Sequence, residues 1–114
     1  MRVAYNKLVR DQIPDIIAAA GSHPSTRVLD HASYQGALRA KLLEEAQEAE
    51  AATDDQLASE LADVPEVLRA LATAHGMTWE DVELQARRKR AERGGSDRRI
   101  FLEHVDQVSR PMPG

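Results

Sequence analysis

The part of the chain that decides the fold is residues 37–71, ALRAKLLEEAQEAEAATDDQLASELADVPEVLRAL. Its apolar and small residues recur at the spacing of one helix face, first at Leu38, Leu42, Ala46 and Ala49 and then at Leu57, Leu61, Val64, Leu68 and Leu71. Polar residues around Thr53 interrupt this pattern and mark a turn. The stretch therefore predicts two amphipathic helices that are joined by a short connection and pack antiparallel.

Capping signals set the expected ends of these helices. The first helix should begin at Asp30 or Ser33 and run to about residue 52. Thr53 and Gln56 have the spacing of a capping box, so the second helix should begin there and continue to about residues 75–76. Thr78 and Asp81 repeat the pattern. A further helix should therefore begin at residue 79 and end before the glycine pair at 94–95.

The two ends of the chain carry weaker signals. Residues 7–20 have apolar positions at helical spacing, with Pro14 near the expected start and Gly21 as a stop. Residues 22–30 predict a loop, with a short strand at 26–29 as an option. Residues 96–108 are expected to form a short helix or an arm, and about 109–114 a flexible tail.

Composition limits the fold class and the kind of chemistry. Of 114 residues, 42% are hydrophobic but only 4% are aromatic, which favours an aliphatic core between helices. We therefore expect one all-α domain over residues 1–114, a bundle of four to five helices. The absence of cysteine excludes disulfides and thiolate metal sites. Without an apolar membrane span or a signal peptide, the protein is expected to be cytoplasmic.

Acidic and basic residues are segregated along the chain. Residues 41–66 hold nine acids and one base, Lys41, whereas residues 87–99 hold seven bases and two acids. The two segments can neutralise each other, or together hold a metal and a polyphosphate. Nucleic-acid binding is not favoured, because the net charge is −4 and no aromatic residues are interleaved with the basic run at 87–90.

The acidic segment contains a candidate metal centre. Glu44, Glu45 and Glu48 fall on one broad face of the first predicted helix, because a helical turn takes about 3.6 residues. The spacing of Glu60 and Asp63 likewise places both acids on one side of the second helix. Antiparallel packing lets the two sets meet, and several facing carboxylates are what Mg²⁺ requires.

The alternative is that these acids form an ordinary solvated helix face. Like charges at one-turn spacing destabilise a helix unless something neutralises them, and Lys41 is the one base nearby in sequence. A divalent cation is the natural neutralising group.

Three separated blocks resemble a known family. The order EExxE at residues 44–48, followed by ExxD at 60–63, is similar to the signature of MazG-like nucleotide pyrophosphatases of the all-α NTP pyrophosphatase superfamily. Residues 5–14, YNKLVRDQIP, and residues 89–100 resemble the opening and the ending of a subgroup labelled phosphoribosyl-ATP pyrophosphohydrolase-like. The resemblance covers residues 5–102, with its blocks in the same order.

The resemblance implies hydrolysis of a nucleoside triphosphate, or a related nucleotide, to a monophosphate and pyrophosphate, with house-cleaning as one role for such an activity. It implies Mg²⁺, or Mn²⁺, held by Glu44, Glu45, Glu48, Glu60 and Asp63. Either Glu44 or Glu45 would also orient the attacking water as a base. Contacts with the nucleotide substrate are expected from six bases: Lys7, Arg10, Lys41, Lys89, Arg93 and Arg99. A homodimer is expected, because a chain with few large apolar side chains covers its own core poorly.

Two alternatives remain open at this stage. One is phosphoribosyl-ATP hydrolysis in histidine synthesis. The other is a catalytically silent helical interaction module, suggested by Pro65, which should kink the helix beside the Glu60–Asp63 pair. In a related interpretation, Asp63 is the N-cap of a new helix with Glu66 closing its capping box, and Asp63 then has a structural role.

Overall fold

A computed structural model describes residues 1–106 of the chain. This part contains four α-helices, α1 (Ile13–Ala19), α2 (His31–Ala51), α3 (Leu57–Ala74) and α4 (Trp79–Arg93). No residue between 1 and 106 is in a β-strand, so the option of a short strand at 26–29 is wrong. The all-α fold class predicted from the sequence is confirmed.

The chain divides into two units, Met1–Val82 and Glu83–Gly114, and the boundary falls inside α4. The first unit contains α1, α2 and α3 together with the start of α4. The second contains the rest of α4 and the basic residues that follow. None of the helices in the described part is long and apolar enough to cross a membrane.

The start of α2 follows the predicted capping rule. Asp30 is the N-cap, and its carboxylate accepts a hydrogen bond from the backbone N–H of Ser33 at 2.8 Å. This bond satisfies one of the N–H groups that have no partner at the beginning of a helix. The helix ends where Ala52 becomes extended, as the sequence predicted.

The predicted capping box at Thr53 and Gln56 is wrong. The Thr53 hydroxyl donates to the Asp55 carboxylate at 2.6 Å, and the N-cap of α3, Gln56, makes no side-chain capping bond. The backbone N–H of Gln56 instead donates to the Thr53 carbonyl at 3.0 Å, which closes a turn. In a capping box the Thr53 hydroxyl would accept from the Gln56 N–H, but the Thr53 carbonyl takes that donor, so the box does not form.

Pro65 lies inside α3, which continues without interruption from Leu57 to Ala74. Asp63 is therefore two residues before a mid-helix proline and is not the N-cap of a new helix, so that interpretation is wrong. Gly76, with φ +74, ends the helix in the left-handed conformation that glycine adopts at little cost.

The second predicted capping box is confirmed at the start of α4. The backbone N–H of Thr78 donates to the Asp81 carboxylate at 2.9 Å, and the N–H of Asp81 donates to the Thr78 hydroxyl at 3.1 Å. This reciprocal pair fixes the first turn of the helix.

The core of the first unit lies between α2 and α3, which pack against each other. Its buried hydrophobic residues in the described part of the chain are Leu38, Val67 and Ala72. The Gln35 side-chain amide donates to the Ala74 carbonyl at 3.0 Å, which ties the beginning of α2 to the end of α3. Two antiparallel helices with three buried apolar side chains form a thin core.

Residues 1–12 form an arm without regular secondary structure before α1. At the other end, residues 96–106 contain no helix, so for this range the expected arm is correct and the expected short helix is not. The remainder of that segment, and the flexible tail predicted at 109–114, lie outside the described residues.

Candidate metal centre

The carboxylates of α2 form one close group. Oxygen atoms of Glu44, Glu45 and Glu48 all lie within 4.8 Å of one another. The helix places them together because residues three and four apart share a face and residue 45 lies between them. The sequence prediction that these three acids meet is therefore realised in the fold.

A second group joins the two helices. Glu45 of α2 has a carboxylate oxygen within 4.8 Å of oxygens from Glu60 and Asp63 of α3. The two groups share Glu45, which thus stands between the acids of α2 and the acids of α3. All five acids identified in the sequence take part in one or both of these groups, which we call the acidic cluster.

Glu45 differs from the other members of the acidic cluster in its burial. Only 4% of the residue is exposed, and it is the buried charged residue of the described chain. One carboxylate oxygen, Oε1, lies 3.1 Å from Lys41 Nζ, but the buried Oε2 has no hydrogen-bond partner. A buried carboxylate oxygen without a partner is costly, so this atom is suited to an additional cationic ligand.

Crowding of negative charge is also visible at Glu48. Its pKa is raised above the ordinary glutamate value, first by the charge of Glu45 and then by desolvation, a shared hydrogen bond with Glu45, and the charges of Glu60 and Glu44. Nearby negative charges disfavour the ionised form of a carboxyl group and therefore raise its pKa. The acidic cluster thus carries more negative charge than Lys41 neutralises.

The N-terminal arm places two further bases at the acidic cluster. Lys7 Nζ lies 3.2 Å from Glu44 Oε1, and Arg10 Nη2 donates to Asp63 Oδ1 at 2.7 Å. The pKa of Lys7 is raised, first by its hydrogen bond with Glu44 and by the negative charge of that carboxylate. From the sequence, both bases are expected to contact substrate, and these ion pairs with the acidic cluster are not predicted.

A cavity of about 420 Å³ lies beside the acidic cluster, between the arm, α1, α2 and α3. Apolar side chains that line it include Leu8, Ile13, Tyr34, Leu38 and Val67. Charged side chains that line it are Lys7, Arg10, Asp11, Lys41, Glu45, Asp63 and Glu66. The combination of an apolar lining and a few convergent charges is typical of small-molecule sites.

The other predicted substrate contacts, Lys89, Arg93 and Arg99, lie in the second unit. Lys89 and Arg93 are on α4, and Arg99 follows it with φ +58. In the same unit Arg90 approaches Asp97 at 3.8 Å. The basic run at 87–90 is helical, as predicted. Contact of Lys89, Arg93 and Arg99 with phosphate stays a prediction.

The burial of Glu45 had a signal in the sequence. Glu45 is seven residues after Leu38, and that spacing returns to the same stripe of a helix. The adjacent Glu44 and the later Glu48 lie to one side of that stripe. The apolar stripe therefore distinguishes the buried glutamate from its neighbours, although the EExxE pattern alone does not.

Comparisons with known proteins found no match: no family model, no curated protein and no solved structure matches this chain.

Proposed function

We propose that the protein is a Mg²⁺-dependent nucleotide pyrophosphohydrolase that cleaves a nucleoside triphosphate, or a related nucleotide, to a monophosphate and pyrophosphate. The observation that carries this proposal is the buried, unpartnered Oε2 of Glu45 at the junction of the two carboxylate groups. The resemblance of residues 44–48 and 60–63 to the MazG-like signature supplies the reaction class.

The donor set fits a hard divalent cation. Glu44, Glu45, Glu48, Glu60 and Asp63 supply only oxygen atoms, and oxygen is the ligand that Mg²⁺ and Mn²⁺ prefer. When bound, the metal would neutralise phosphate oxygens and activate water. Glu45 is the central ligand in this proposal, because it belongs to both groups.

The two predicted catalytic glutamates differ in their access to water. The side chain of Glu44 is 28% exposed and that of Glu45 is 6% exposed. We therefore assign the role of general base to Glu44 and the role of ligand to Glu45. Glu44 accepts a proton from the attacking water as the water oxygen bonds to phosphorus and the P–O bond between the monophosphate and pyrophosphate groups breaks.

Lys7, Arg10 and Lys41 are the proposed phosphate contacts in the first unit, since all three line the cavity beside the acidic cluster. Lys7 and Arg10 would exchange their carboxylate partners for phosphate oxygens when metal and substrate bind. The apolar lining of the cavity, with Tyr34, suits the base or sugar of the nucleotide. In the second unit, Lys89, Arg93 and Arg99 remain proposed phosphate contacts.

The test is a nucleotide panel that includes the common nucleoside triphosphates and phosphoribosyl-ATP, incubated with the full chain and Mg²⁺. Pyrophosphate release is expected with the wild type, and chelation of the metal should stop it. Glu44→Gln and Glu45→Gln should each lose activity, whereas Asp54→Asn, which removes an exposed acid from the turn before α3, should keep it. Activity limited to phosphoribosyl-ATP would favour the histidine-synthesis alternative.

One observation favours the silent module instead. Arg10 and Lys7 already pair with Asp63 and Glu44, so part of the acidic cluster is neutralised by the chain itself. A folded protein that hydrolyses no nucleotide in the panel and binds no Mn²⁺ would establish this alternative and reject the enzyme. In either case we propose that the chain works as a homodimer.

A further inference from the structure

Glu66 is an acid of the cavity that the proposed reaction does not use. It lines the cavity beside the acidic cluster but belongs to neither carboxylate group. It has no capping role, because α3 continues without interruption from Leu57 to Ala74. The three bases that line the cavity each pair with an acid of the acidic cluster, and within residues 1–106 Glu66 takes part in no ion pair. Its carboxylate is therefore available to a ligand.

The helical walls of the cavity lead away from the acidic cluster in one direction. The lining residues on α3 are Asp63, Glu66, Val67 and Ala70, and those on α2 are Tyr34, Leu38, Lys41 and Glu45. Each set has the spacing of a single helix face. The helices are antiparallel, and the Gln35 side chain near the start of α2 bonds to the Ala74 carbonyl at the end of α3. Both sets therefore run from the acidic cluster towards that hydrogen bond.

The chemistry of these walls changes along the way. Glu45 and Asp63 belong to the acidic cluster. Lys41 and Glu66 come one helical turn further, about 4.5 to 6 Å along the helix axis. At the far end the lining is apolar or aromatic, with Tyr34, Leu38 and Ala70. The cavity thus has a cation-binding end, a charged middle and an apolar end.

A nucleoside triphosphate has three parts in a matching order. Cleavage to a monophosphate and pyrophosphate requires the α-phosphate at the acidic cluster, where the metal is proposed to bind. The sugar is the next group along the nucleotide, and the base is the last. With the base at the apolar end, the sugar lies in the charged middle beside Glu66.

The Glu66 carboxylate restricts which group can lie beside it. An ionised glutamate only accepts hydrogen bonds, so it repels phosphate oxygens and pairs with N–H or O–H donors. A ribose offers two neighbouring donors, its 2′- and 3′-hydroxyls, whereas a 2′-deoxyribose offers one. Acidic side chains bind ribose hydroxyls in this way in dinucleotide-binding proteins.

We infer that Glu66 is a specificity-determining residue that accepts hydrogen bonds from the 2′- and 3′-hydroxyls of the sugar, which makes ribonucleotides the preferred substrate class. The inference rests on the proposed function for the position of the phosphates, and it adds the identity of the sugar. Glu66 and Asp63 lie on the same helix, so a fixed backbone holds the sugar contact at a set distance from the metal.

The first measurement is the ratio of kcat/KM for a ribonucleoside triphosphate to that for its 2′-deoxy counterpart, with the full chain and Mg²⁺, for each common base. The wild type should prefer the ribonucleotide about tenfold, because the deoxy compound lacks one hydrogen bond to a charged group. Glu66→Ala should bring the ratio to about one, and Glu66→Gln, which keeps one acceptor oxygen, should give an intermediate value.

The control is Glu50→Gln, which removes an exposed acid of α2 that does not line the cavity and should leave the ratio unchanged. A purely structural role of Glu66 would lower hydrolysis of both sugars equally and keep the ratio of the wild type, which would overturn the inference. Circular dichroism checks that Glu66→Ala is helical. If it is not, Glu66→Gln decides the question.

A second measurement separates the sugar contact from the proposed reaction. Calorimetry with α,β-methylene triphosphates, whose bridging carbon prevents cleavage, compares binding of the two sugars in the presence of Mg²⁺. A ribose preference that Glu66→Ala removes would support the inference, even if no nucleotide is hydrolysed and the proposed hydrolase is rejected. Hydrolysis with equal binding of both sugars, or a preference that survives in Glu66→Ala, would overturn the inference and leave the hydrolase standing. Neither binding nor hydrolysis would reject both.

Discussion

The guanidinium of Arg10 donates a hydrogen bond of 2.7 Å to the carboxylate of Asp63, and this bond joins the N-terminal arm to α3. Lys7 makes the equivalent connection to α2 through Glu44 at 3.2 Å. Two of the five proposed metal ligands, Asp63 and Glu44, are therefore held by bases of the arm, and a third, Glu45, is paired with Lys41 of α2. A metal that binds all five acids has to displace these bases, which couples the position of the arm to occupancy of the acidic cluster.

This coupling predicts that removing an arm base increases metal affinity. Arg10→Gln and Lys7→Gln should each tighten Mn²⁺ binding roughly two- to fivefold, because partly exposed ion pairs of this kind are worth about 0.2–1 kcal/mol. Titration calorimetry of the metal alone measures the effect. Arg27→Gln is the control for a general change in charge and should alter the affinity less.

The same variants separate metal binding from substrate binding. If Lys7 and Arg10 move to phosphate oxygens, nucleotide hydrolysis should fall in both variants although the metal binds more tightly. Equal or weaker metal binding in Arg10→Gln would show that Arg10 does not compete with the metal for Asp63 and is not displaced when the metal binds.

Metal that binds the acidic cluster should raise the thermal stability of the protein, and above Kd the gain should grow with the logarithm of the free metal concentration. At a metal concentration one hundred times Kd, mass action stabilises the folded state by about 2.7 kcal/mol. Glu45→Gln should abolish most of this gain, because Glu45 is the ligand shared by both carboxylate groups. Differential scanning fluorimetry with Mg²⁺ and Mn²⁺ is the measurement, and an equal gain in Glu45→Gln would assign the metal elsewhere.

Glu48 predicts a particular pH dependence in the metal-free protein. Its pKa is raised in the folded state, so folding disfavours the ionised carboxylate. The resulting loss of stability is complete above the folded pKa, where the carboxylate is ionised. Glu48→Gln should therefore raise the melting temperature at neutral pH. The difference from wild type should shrink as the pH falls through the raised pKa of Glu48, where the wild-type carboxyl becomes protonated.

The outcome that would contradict this is a melting-temperature difference that stays constant between neutral and acidic pH. A constant difference would mean that the introduced glutamine improves packing or helix propensity and relieves no charge repulsion. Adding salt offers a second check, because screening should reduce the repulsion and with it the benefit of the substitution.

The fold was largely predictable because local patterns of this chain agree with its tertiary structure. The periodic apolar residues of 37–71 and the caps at Asp30 and Thr78–Asp81 each specify a helix or its end. The Thr53–Gln56 prediction failed because the Gln56 N–H donates to the Thr53 carbonyl and not to the Thr53 hydroxyl. A spacing rule counts only the two residues of a box and ignores such competitors.

The candidate site was predictable in its acids but not in its bases. Helix periodicity brings the five acids to two facing surfaces, so their convergence follows from the sequence. Lys7 and Arg10 reach the acidic cluster through an arm without periodic structure, 37 and 53 residues away from their partners in sequence. No local pattern encodes such a long-range pairing.

Pro65 should cost α3 stability, because proline removes a helical hydrogen bond and its ring crowds the carbonyl four residues earlier. Pro65→Ala is therefore expected to stabilise the protein by up to about 3 kcal/mol. Chemical denaturation with a helical readout measures the change. An unchanged free energy of unfolding would mean that α3 already accommodates the proline, as helices that contain proline do by bending.

Asp63→Asn tests whether that residue serves the metal or only the fold. Asp63 lies inside a continuous helix, so it has no capping role there, and its structural bond is the one with Arg10. Asparagine keeps the size and can still accept from Arg10, so stability should change by less than about 1 kcal/mol. A loss of the negative charge should nevertheless weaken Mn²⁺ binding and reduce hydrolysis by at least about tenfold.

Asp54→Asn is the matched control, since it removes an equal charge from the exposed turn before α3. Full hydrolysis and unchanged metal affinity in Asp63→Asn would remove this residue from the metal centre. Normal stability with loss of both would assign it there.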